Sequence, residues 1–512
     1  MSTLPSTRSR KTPWLIAVVF GVAAIALNAL GSWIPSLWGD EAASLLSAER
    51  PLPSLFRMVL HVDAVHGLYY LGLHFWIQVA GTSPFALRFP SAIAIGIAVA
   101  SLTLLAWRGG RTGLAITTGI VACLLPRLTY EGEEARSYPF TAANASVLTL
   151  LFVWLVAGEG RLASRRTRAW CWAAYGVGMA LSSYLFLYFV TLLLAHLVML
   201  ACSHAPRSIW RAWLISSASA CVSLAPLGLL AFFERSQIAY LGNTPLAALG
   251  LLYSIWFSTP TVAVISWTLI AAGIAYGGAR WWRSRGVTPT EPQLSTVLTG
   301  TSWLFIPTGV LLIVNIAFPL YTQRYSTFAA PAAALLIAEG ALVIGTWVRK
   351  LTRIPAVIAT TACVLVFAGV AVPAYLDQRG PYSKNDSDWA EVSAAISRVA
   401  HPGDAVVFDE GARPSRNPRL AMRTYPSGFA DVHDVTLKTP YYRNSGWADR
   451  AYTVPQAAAL GRFDTVNRVW VIELKNNGVP DRYGLSALET LGFHETGVRV
   501  NTHREVLIEF VR

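Results

Sequence analysis

The sequence reads WLIAVVFGVAAIALNALGSW at residues 14–33 and WGDE at residues 38–41. The first stretch is about twenty residues long, enough for a helix to cross the hydrocarbon core of a bilayer. The second places Asp40 and Glu41 just beyond the predicted end of that helix. Carboxylates this close to hydrocarbon are costly to place and are usually functional. The alternative is that Asp40 caps a short helix over residues 41–46, because Asp is a favoured N-cap residue.

Apolar runs of similar length recur along most of the chain. Of its 512 residues, 54% are hydrophobic and 13% are charged. This composition is typical of a polytopic membrane protein. The net charge of +13 could indicate a nucleic-acid partner, but residues 377–512 contain seventeen acidic and seventeen basic side chains. The whole basic excess therefore lies among the apolar runs, where it indicates membrane topology, and we expect no nucleic-acid partner.

The apolar runs predict about eleven transmembrane helices. They cover residues 14–33, 86–107, 113–125, 140–156, 170–185, 188–202, 212–233, 262–278, 298–318, 328–348 and 356–375. Of the twenty-four Lys and Arg residues before position 377, seventeen lie at the N-terminus or in alternate turns between these runs. The positive-inside rule then predicts a multi-pass protein of the cell membrane with a cytoplasmic N-terminus. The C-terminal region is expected to be extracytoplasmic.

Two domains are expected from this pattern. Residues 1–376 would form an α-helical transmembrane domain with a long first outer loop at 34–85, and residues 377–512 an extracytoplasmic α/β domain. In the loop, apolar residues at helical spacing predict a surface helix near residues 52–60. Residues 67–80 are apolar but short for a crossing, which predicts a half-buried or re-entrant helix. In the α/β domain, the patterns predict helices at 389–399 and 485–491, strands at 405–408 and 469–474, and a β pair at 498–501 and 505–510.

Four polar groups are expected on the outer side of the membrane. They are Asp40 with Glu41, the stretch 63–70 with His66 and Tyr69, the stretch 130–138 with Glu131, Glu133, Glu134, Arg136 and Tyr138, and the stretch 321–325 with Arg324 and Tyr325. A carboxylate can take a proton from a hydroxyl group or hold a divalent cation, and an Arg can pair with phosphate oxygens. Each group alone could instead be structural: His66 as an interfacial hydrogen-bonding residue, the glutamates as a solvated loop, and Arg324 as a side chain reaching lipid headgroups.

These groups occur together with Ala86-Leu87-Arg88-Phe89-Pro90-Ser91. As a set, Gly39-Asp40-Glu41, His66 with Leu68-Tyr69-Tyr70, residues 86–91, residues 134–138 and Arg324-Tyr325 resemble the GT-C superfamily of polyprenyl-phosphate-sugar glycosyltransferases. The resemblance is to the branch of the protein O-mannosyltransferases and the lipid A aminoarabinose transferase. It covers roughly the membrane part of the chain.

The resemblance implies an inverting glycosyltransferase that uses a polyprenyl-phosphate-sugar donor, with mannose as the expected sugar. The acceptor would be a cell-envelope glycan, lipid or protein. Asp40, with Glu41 beside it, would be the catalytic base, and Arg324 would contact the lipid phosphate. The remaining implied substrate-binding residues are His66, Tyr69, Glu131, Glu133, Glu134, Arg136, Tyr138 and Tyr325. Mg or Mn is a candidate cofactor, with Asp40, Glu134 and His66 as candidate ligands.

Two other functions stay open at this point. Glu339 and His196 lie within predicted spans, and intramembrane ionisable residues are functional candidates, which suggests a transporter or flippase of a lipid-linked or envelope precursor. No paired broken helices, typical of many transporters, are evident in the sequence. The third possibility is a non-catalytic envelope scaffold that uses the C-terminal domain.

Overall fold

The structure is a computed structural model that describes residues 11–158, 164–237, 248–283, 294–476, 478–480 and 482–512. The helices are α1 (Thr12–Ala29), α2 (Gly39–Ala48), α3 (Leu52–Val59), α4 (Gly67–Ala80), α5 (Pro84–Trp107), α6 (Thr112–Leu124), α7 (Pro126–Glu131), α8 (Tyr138–Ala157), α9 (Arg165–Leu185), α10 (Leu192–Ala201), α11 (Arg207–Ser223), α12 (Ala225–Phe233), α13 (Ala248–Ser254), α14 (Pro260–Arg283), α15 (Thr296–Ala317), α16 (Ala330–Thr352), α17 (Ala356–Asp377), α18 (Trp389–Val399), α19 (Arg419–Thr424), α20 (Val454–Ala459) and α21 (Leu485–Thr490). The strands are β1 (Asp404–Phe408), β2 (Val432–Asp434), β3 (Leu437–Thr439), β4 (Arg450–Ala451), β5 (Arg468–Asn476), β6 (Val479–Pro480), β7 (His494–Asn501) and β8 (Glu505–Val511).

The chain forms two compact units. The helical unit contains the residues up to Leu30 together with Arg88–Leu376, and the α/β unit contains Gly31–Leu87 together with Asp377–Arg512. The expected boundary between residues 376 and 377 coincides with the end of the helical unit. The segment Gly31–Leu87, expected to be a loop of the transmembrane domain, packs with the C-terminal residues instead. The α/β unit is therefore assembled from two separate stretches of sequence.

Seven helical segments in the described part of the chain are long and apolar enough to cross a membrane. They contain α1, α5, α8, α14, α15, α16 and α17, and the pair α11 and α12, bent by 40°, would add an eighth. Each of the eleven predicted spans overlaps a helix. However, α6 and the segment Leu187–Ala201 are shorter apolar helices. The predicted positions thus coincide with helices, and seven or eight segments of the described residues pass the length and hydropathy criteria for a full crossing, against eleven predicted spans.

Close contacts between backbones organise the helical unit. A Cβ atom on Gly340 of α16 would overlap the carbonyl oxygen of Leu269 in α14. A Cβ atom on Gly21 of α1 would lie 3.1 Å from the carbonyl oxygen of Gly96 in α5. Lipid provides no hydrophobic driving force between helices. Small residues at such crossings let membrane helices approach closely, so that van der Waals packing can hold them together.

The α/β unit is built on a mixed sheet with strand order β2-β1-β5-β8-β7, and β6 pairs with the end of β5. Strand β1 is parallel to β2 and β5, whereas β8 is antiparallel to both β5 and β7. Side chains alternate between the two faces of a strand. Val406 and Phe408 of β1 pack against α18, while Ala405 and Val407 pack into the core that contains α20 and α21. The sheet is thus covered on both faces.

The predicted elements of this unit are confirmed. Helices α4 and α18 have the predicted bounds, and the predicted β pair is β7 with β8. Helix α18 buries Trp389, Val392 and Ile396, whose spacing places them on one face of a helix. The predicted surface helix near residues 52–60 is α3, which buries Leu55 and leaves Phe56 54% exposed.

Candidate active site

Asp40 and Glu41 lie in the first turn of α2, and the N-cap of this helix is Trp38. Asp40 is therefore not the capping residue that the alternative interpretation required. A carboxylate in the first turn is stabilised by the partial positive charge of the helix N-terminus. Asp40 is partly buried, whereas Glu41 is completely buried. Of the two carboxylates, only Asp40 has surface that a substrate could reach within the α/β unit.

The turn that carries Asp40 is fitted closely to the C-terminal residues of the α/β unit. A Cβ atom on Gly39 would overlap the carbonyl oxygen of Ser415, in the 3-10 helix Pro414–Arg416. Just before this turn, the backbone N–H of Leu37 donates to the hydroxyl of Tyr425 at 2.8 Å, and its carbonyl accepts from Ser387 Oγ at 2.7 Å. Only glycine fits at position 39 without displacing the helix.

The apolar face of α2 belongs to the core of the same unit. Ala42 and Leu46 are fully buried in the cluster that contains Trp389 and Phe408. Burying apolar surface contributes roughly 25 cal/mol per Å², so α2 is held chiefly by this packing. Asp40 therefore projects from a helix that rests on the C-terminal α/β fold.

A buried polar network fixes the other end of α2. The side chain of Arg50 is completely buried and donates to the carbonyl of Asn444 at 2.9 Å and to that of Gly446. The hydroxyl of Tyr441 donates to Glu49 Oε2 at 2.8 Å. Burial raises the pKa of Glu49, with the bond from Tyr441 partly offsetting this effect, and burial lowers the pKa of Arg50 to about 10. Arg50 stays charged at neutral pH.

His66 and Tyr69 lie in the α/β unit with Asp40, and both are buried. His66 ends a 3-10 turn that follows Asp63, which has a positive φ of 58°. Asp63 Oδ2 accepts a hydrogen bond from the hydroxyl of Tyr70 at 3.1 Å. Helix α4 packs against α2, and a ring nitrogen of His74 lies 2.7 Å from the carbonyl oxygen of Ala48. The motif at residues 66–70 is thus part of the structure that supports α2.

In the helical unit, Glu131 is completely buried at the end of α7. Its Oε1 lies 3.2 Å from Arg127 Nη1 and accepts from the hydroxyl of Thr327 at 3.1 Å. Arg127 also donates to the carbonyls of Ile255 and Ser254, both at 2.6 Å. A buried carboxylate needs such a partner. Glu131 joins α7 to the segment 323–329, and we assign it a positioning role.

Glu133, Glu134 and Arg136 follow in a loop in which all three side chains are buried. A Cβ atom on Gly132 would overlap the side chain of Asn28, so this loop also packs tightly against α1. The hydroxyl of Ser91 donates to the carbonyl of Glu134 at 2.6 Å. This bond joins the motif at residues 86–91 to the motif at 134–138. Burying three charged side chains in one loop is costly, which supports a functional role for it.

Aromatic rings bring the motif at 134–138 together with the motif at 321–325. The guanidinium carbon of Arg324 lies 5.7 Å from the ring centroid of Tyr138, close enough for a cation–π interaction. The rings of Tyr138 and Tyr325 are 6.1 Å apart, and Phe186 lies 5.2 Å from Tyr325 and 5.5 Å from Tyr138. Tyr138 and Tyr325 are buried in this cluster, while Arg324 is partly exposed.

The predicted site residues are divided between the two units. Asp40, Glu41, His66 and Tyr69 belong to the α/β unit, and Glu131, Glu133, Glu134, Arg136, Tyr138, Arg324 and Tyr325 belong to the helical unit. Among the residues that the structure describes, no three His, Cys, Asp or Glu side chains form a group that could hold a metal ion. The candidate ligands Asp40, His66 and Glu134 and the dependence on a cation stay predictions.

Sequence reasoning missed the residues that position these groups. Arg127 lies four residues before Glu131, and this spacing on a helix could have indicated the pair. Ser415, Asn444 and Gly446 act through backbone carbonyls, for which the sequence contains no signal.

The two intramembrane residues that suggested transport have structural partners. Arg111 forms a bidentate ion pair with Glu339, with 2.5 Å from Nη1 to Oε1 and 2.7 Å from Nη2 to Oε2. The hydroxyl of Thr296 also donates to Glu339. The ring of His196 stacks on Phe152 at 4.4 Å, and its nitrogens lie 3.1 Å from Thr149 Oγ1 and 2.7 Å from the hydroxyl of Tyr175. Both side chains join neighbouring helices.

No protein-family model matches the sequence, and no curated protein sequence matches it. Among solved structures, ArnT from Cupriavidus metallidurans in the apo state is similar with 13% identity, 98% of both chains covered and a TM-score of 0.55. The same protein bound to undecaprenyl phosphate gives 14% identity, 98% coverage of both chains and a TM-score of 0.55. The oligosaccharyltransferase AglB from Archaeoglobus fulgidus gives 10% identity, covers 90% of this chain and 70% of AglB, and has a TM-score of only 0.48. The similarity to ArnT shows a shared fold over nearly the whole chain, including the C-terminal residues.

Proposed function

We propose that the protein is an integral-membrane glycosyltransferase that moves a sugar from a polyprenyl-phosphate donor to an acceptor of the cell envelope. The observation that carries this proposal is the shared fold with ArnT over 98% of both chains. One of the ArnT structures contains undecaprenyl phosphate, which belongs to the class of lipid that the motif resemblance implies for the donor. Mannose is the sugar that we propose first, and aminoarabinose is the alternative that ArnT suggests.

In the proposed reaction, Asp40 takes the proton of the acceptor hydroxyl. The acceptor oxygen then forms a bond to the anomeric carbon of the sugar, the bond between that carbon and the phosphate oxygen breaks, and the polyprenyl phosphate leaves with its negative charge. The partial exposure of Asp40 supports its choice over the buried Glu41. A positioned base contributes about a factor of 10²–10⁴ to such a reaction.

Arg324 is proposed to bind the phosphate of the lipid donor. It is partly exposed, and its guanidinium group lies over the ring of Tyr138. The planar guanidinium group of an Arg can pair with phosphate oxygens in a fork geometry that Lys lacks. Glu131 helps to position Arg324 indirectly. It accepts a hydrogen bond from Thr327, which lies with Arg324 in the 3-10 helix Gln323–Ala329. We further propose that the reaction takes place on the extracytoplasmic side, as the distribution of basic residues predicts.

No observation favours transport as a second function. Glu339 is paired with Arg111 and Thr296, and His196 lies between two hydroxyl groups. The helix pair α11 and α12 is bent, but in the described part of the chain no second pair is bent in the same way.

The test is a transfer assay with the purified full-length protein in nanodiscs and radiolabelled polyprenyl-phosphate sugars. We expect Asp40→Asn to lower the rate of transfer by about a hundredfold or more, because an amide cannot accept the proton, while donor binding changes little. Arg324→Ala should instead weaken donor binding first. Asp431→Asn, which alters an exposed carboxylate of the α/β unit, is the matched control. Near-normal transfer by Asp40→Asn would contradict the assignment of the base, and inhibition by a chelator would indicate a required cation.

A further inference from the structure

A basic cavity of about 290 Å³ lies in the α/β unit, apart from the residues assigned to the transfer reaction. It is lined by Asp386, Arg416, Lys475, Gly478, His503 and Arg504. Among the described lining residues, Arg416, Lys475 and Arg504 carry a positive charge and Asp386 a negative one. This charge balance favours an anion as the occupant.

Two of the cations are held in place by the surrounding fold. Lys475 Nζ donates to the carbonyl of Thr502 at 2.6 Å, which fixes the ammonium group at the cavity. The side chain of Arg504 is only 9% exposed, and its guanidinium carbon lies 5.6 Å from the ring of Trp389. The positions of these charges are therefore determined before any ligand arrives, which lowers the entropic cost of binding.

The hydrogen bonding of Arg504 is incomplete among the described residues. Its side-chain hydrogen bonds to the carbonyl of Asn385 and to Glu505 are both 3.3 Å long. Its Nε has no hydrogen-bond partner there and lies 3.9 Å from Asp388 Oδ1. A guanidinium group has five N–H donors, and a buried one with long bonds has capacity for a further acceptor.

The backbone at the edge of the cavity is unusual as well. Asn385 and Asp386 are consecutive residues with φ values of 57° and 56°. Non-glycine residues in this left-handed region are uncommon, and strained backbone tends to persist at binding sites. Next to this segment, His503 Nε2 lies 4.0 Å from Asp386 Oδ1, and the ring of His503 stacks on Tyr382 at 3.9 Å, with 7° between the ring planes. The stack fixes the imidazole at the cavity.

We propose that the basic cavity is a binding site for a phosphate group. Arg416 would supply a guanidinium group from the 3-10 helix Pro414–Arg416, Lys475 an ammonium group from β5, and Arg504 a second guanidinium group that is largely buried. The site does not depend on the proposed transfer reaction. The same 3-10 helix contains Ser415, which contacts Gly39 at the start of α2. A bound phosphate would therefore also restrain the segment on which Asp40 rests.

The binding test uses the full chain in nanodiscs of phosphatidylcholine and measures ³²P-labelled inorganic phosphate by equilibrium dialysis at low salt. We expect saturable binding by the native protein and at least about a tenfold loss of affinity in the double variant Arg416→Gln/Lys475→Gln, because two charge-assisted contacts are removed. Arg413→Gln removes an exposed arginine three residues from Arg416 that does not line the cavity, and it should bind normally. Thermal denaturation of each variant verifies that it is folded.

Two further measurements identify the source of the phosphate and separate this site from the donor site. Phosphatidylglycerol in the nanodisc should displace labelled phosphate if the natural occupant is a lipid headgroup, and it should have no effect if the occupant is a soluble phosphate; either result supports the proposal. Arg324→Gln should keep the binding that the double variant loses. Absence of saturable binding to the native protein, equal binding by the double variant, or loss of binding in Arg324→Gln instead would overturn it.

Discussion

In the helical unit, the loop that carries the candidate site residues is fixed by charge: Glu131 is buried against Arg127, which in turn binds two backbone carbonyls. In the α/β unit, the turn that carries Asp40 is fixed by shape: Gly39 fits against the backbone of Ser415, and the apolar face of α2 enters the core. The difference follows from the surroundings, because lipid provides no hydrophobic driving force between helices, whereas water does at the α/β unit. The first arrangement should be sensitive to loss of charge, and the second to added volume.

The largest expected effect comes from breaking the charged arrangement. Arg127→Met should lower the free energy of unfolding by about 3–5 kcal/mol, because it leaves the carboxylate of Glu131 buried without its cation. The melting temperature in detergent measures this loss. Thr327→Val removes only one hydrogen bond to the same carboxylate and should cost about 1 kcal/mol. Equal losses in the two variants would mean that the ion pair does not hold the loop.

The next prediction tests the close packing of Gly39 against Ser415 rather than an ion pair. Gly39→Ala adds one methyl group where the carbonyl of Ser415 already lies, so α2 must move. A displacement of about 1 Å at a catalytic group can cost up to about a hundredfold in rate, and we expect about a tenfold fall in kcat with little change in donor KM. Gly72→Ala in α4 is the matched control, since its Cβ meets no atom within 4 Å. If Gly39→Ala transfers sugar at the native rate, the contact with Ser415 does not position Asp40.

A smaller effect concerns a buried carboxylate of the α/β unit that has no dominant ion pair. Burial and the neighbouring Asp388 raise the pKa of Glu505 from 4.5 to about 8. Because the folded protein then holds a proton that the unfolded chain has lost, stability should fall as the pH rises from about 4.5 to 8. Glu505→Gln keeps an acceptor for the indole N–H of Trp389, which donates to Glu505 at 3.0 Å.

This variant should raise the melting temperature at pH 8 by about 2–4 °C and change it much less at pH 5. Differential scanning fluorimetry of the full chain at both values measures the change. Glu509→Gln removes the charge of a carboxylate on the same strand that pairs with Arg468 at 3.1 Å, and it should not raise the melting temperature at pH 8. A gain that is the same at pH 5 and pH 8 would contradict the raised pKa of Glu505.

The smallest effect is expected at the second ion pair of the helical unit. Glu339→Gln keeps an oxygen acceptor for Arg111 and Thr296, and the side chain of Arg111 is 41% exposed, so its charge can be solvated. Sugar transfer should stay within about twofold of the native rate, because this pair is assigned to packing and not to chemistry. Complete loss of transfer with normal expression and melting temperature would favour an ion- or proton-coupled role and revive the transporter hypothesis.

Much of the fold could be predicted because its signals are local. Residues 67–80 form a short apolar run and residues 389–399 show amphipathic helical periodicity, and the structure has helices with those bounds. Twenty-residue apolar runs likewise indicated where the long helices lie. Among the described residues, predicted spans without a full-length helix include residues 113–125, where the apolar helix is shorter.

The positions of the site motifs could be predicted, but not their supports. The sequence indicated Asp40, Glu131 and Arg324 by their residue types beside apolar runs. It could not indicate that residues 31–87 pack with residues 377–512, because long-range packing leaves no periodic pattern in either stretch. At positions 444 and 446 the acceptors of Arg50 are backbone carbonyls, which every residue carries, so no residue type there could indicate the contact.

The division of the α/β unit into two stretches also affects how the protein is made. Residues 31–87 leave the ribosome before the roughly 290 residues that precede their partner segment. At a synthesis rate of about 5–20 residues per second, the first stretch waits about 15–60 s for the strands that will cover it. During that interval the apolar face of α2, with Ala42 and Leu46, has no core to enter. Biogenesis of this enzyme candidate therefore includes a stage at which the helix bearing Asp40 must be shielded by the membrane surface or by a chaperone.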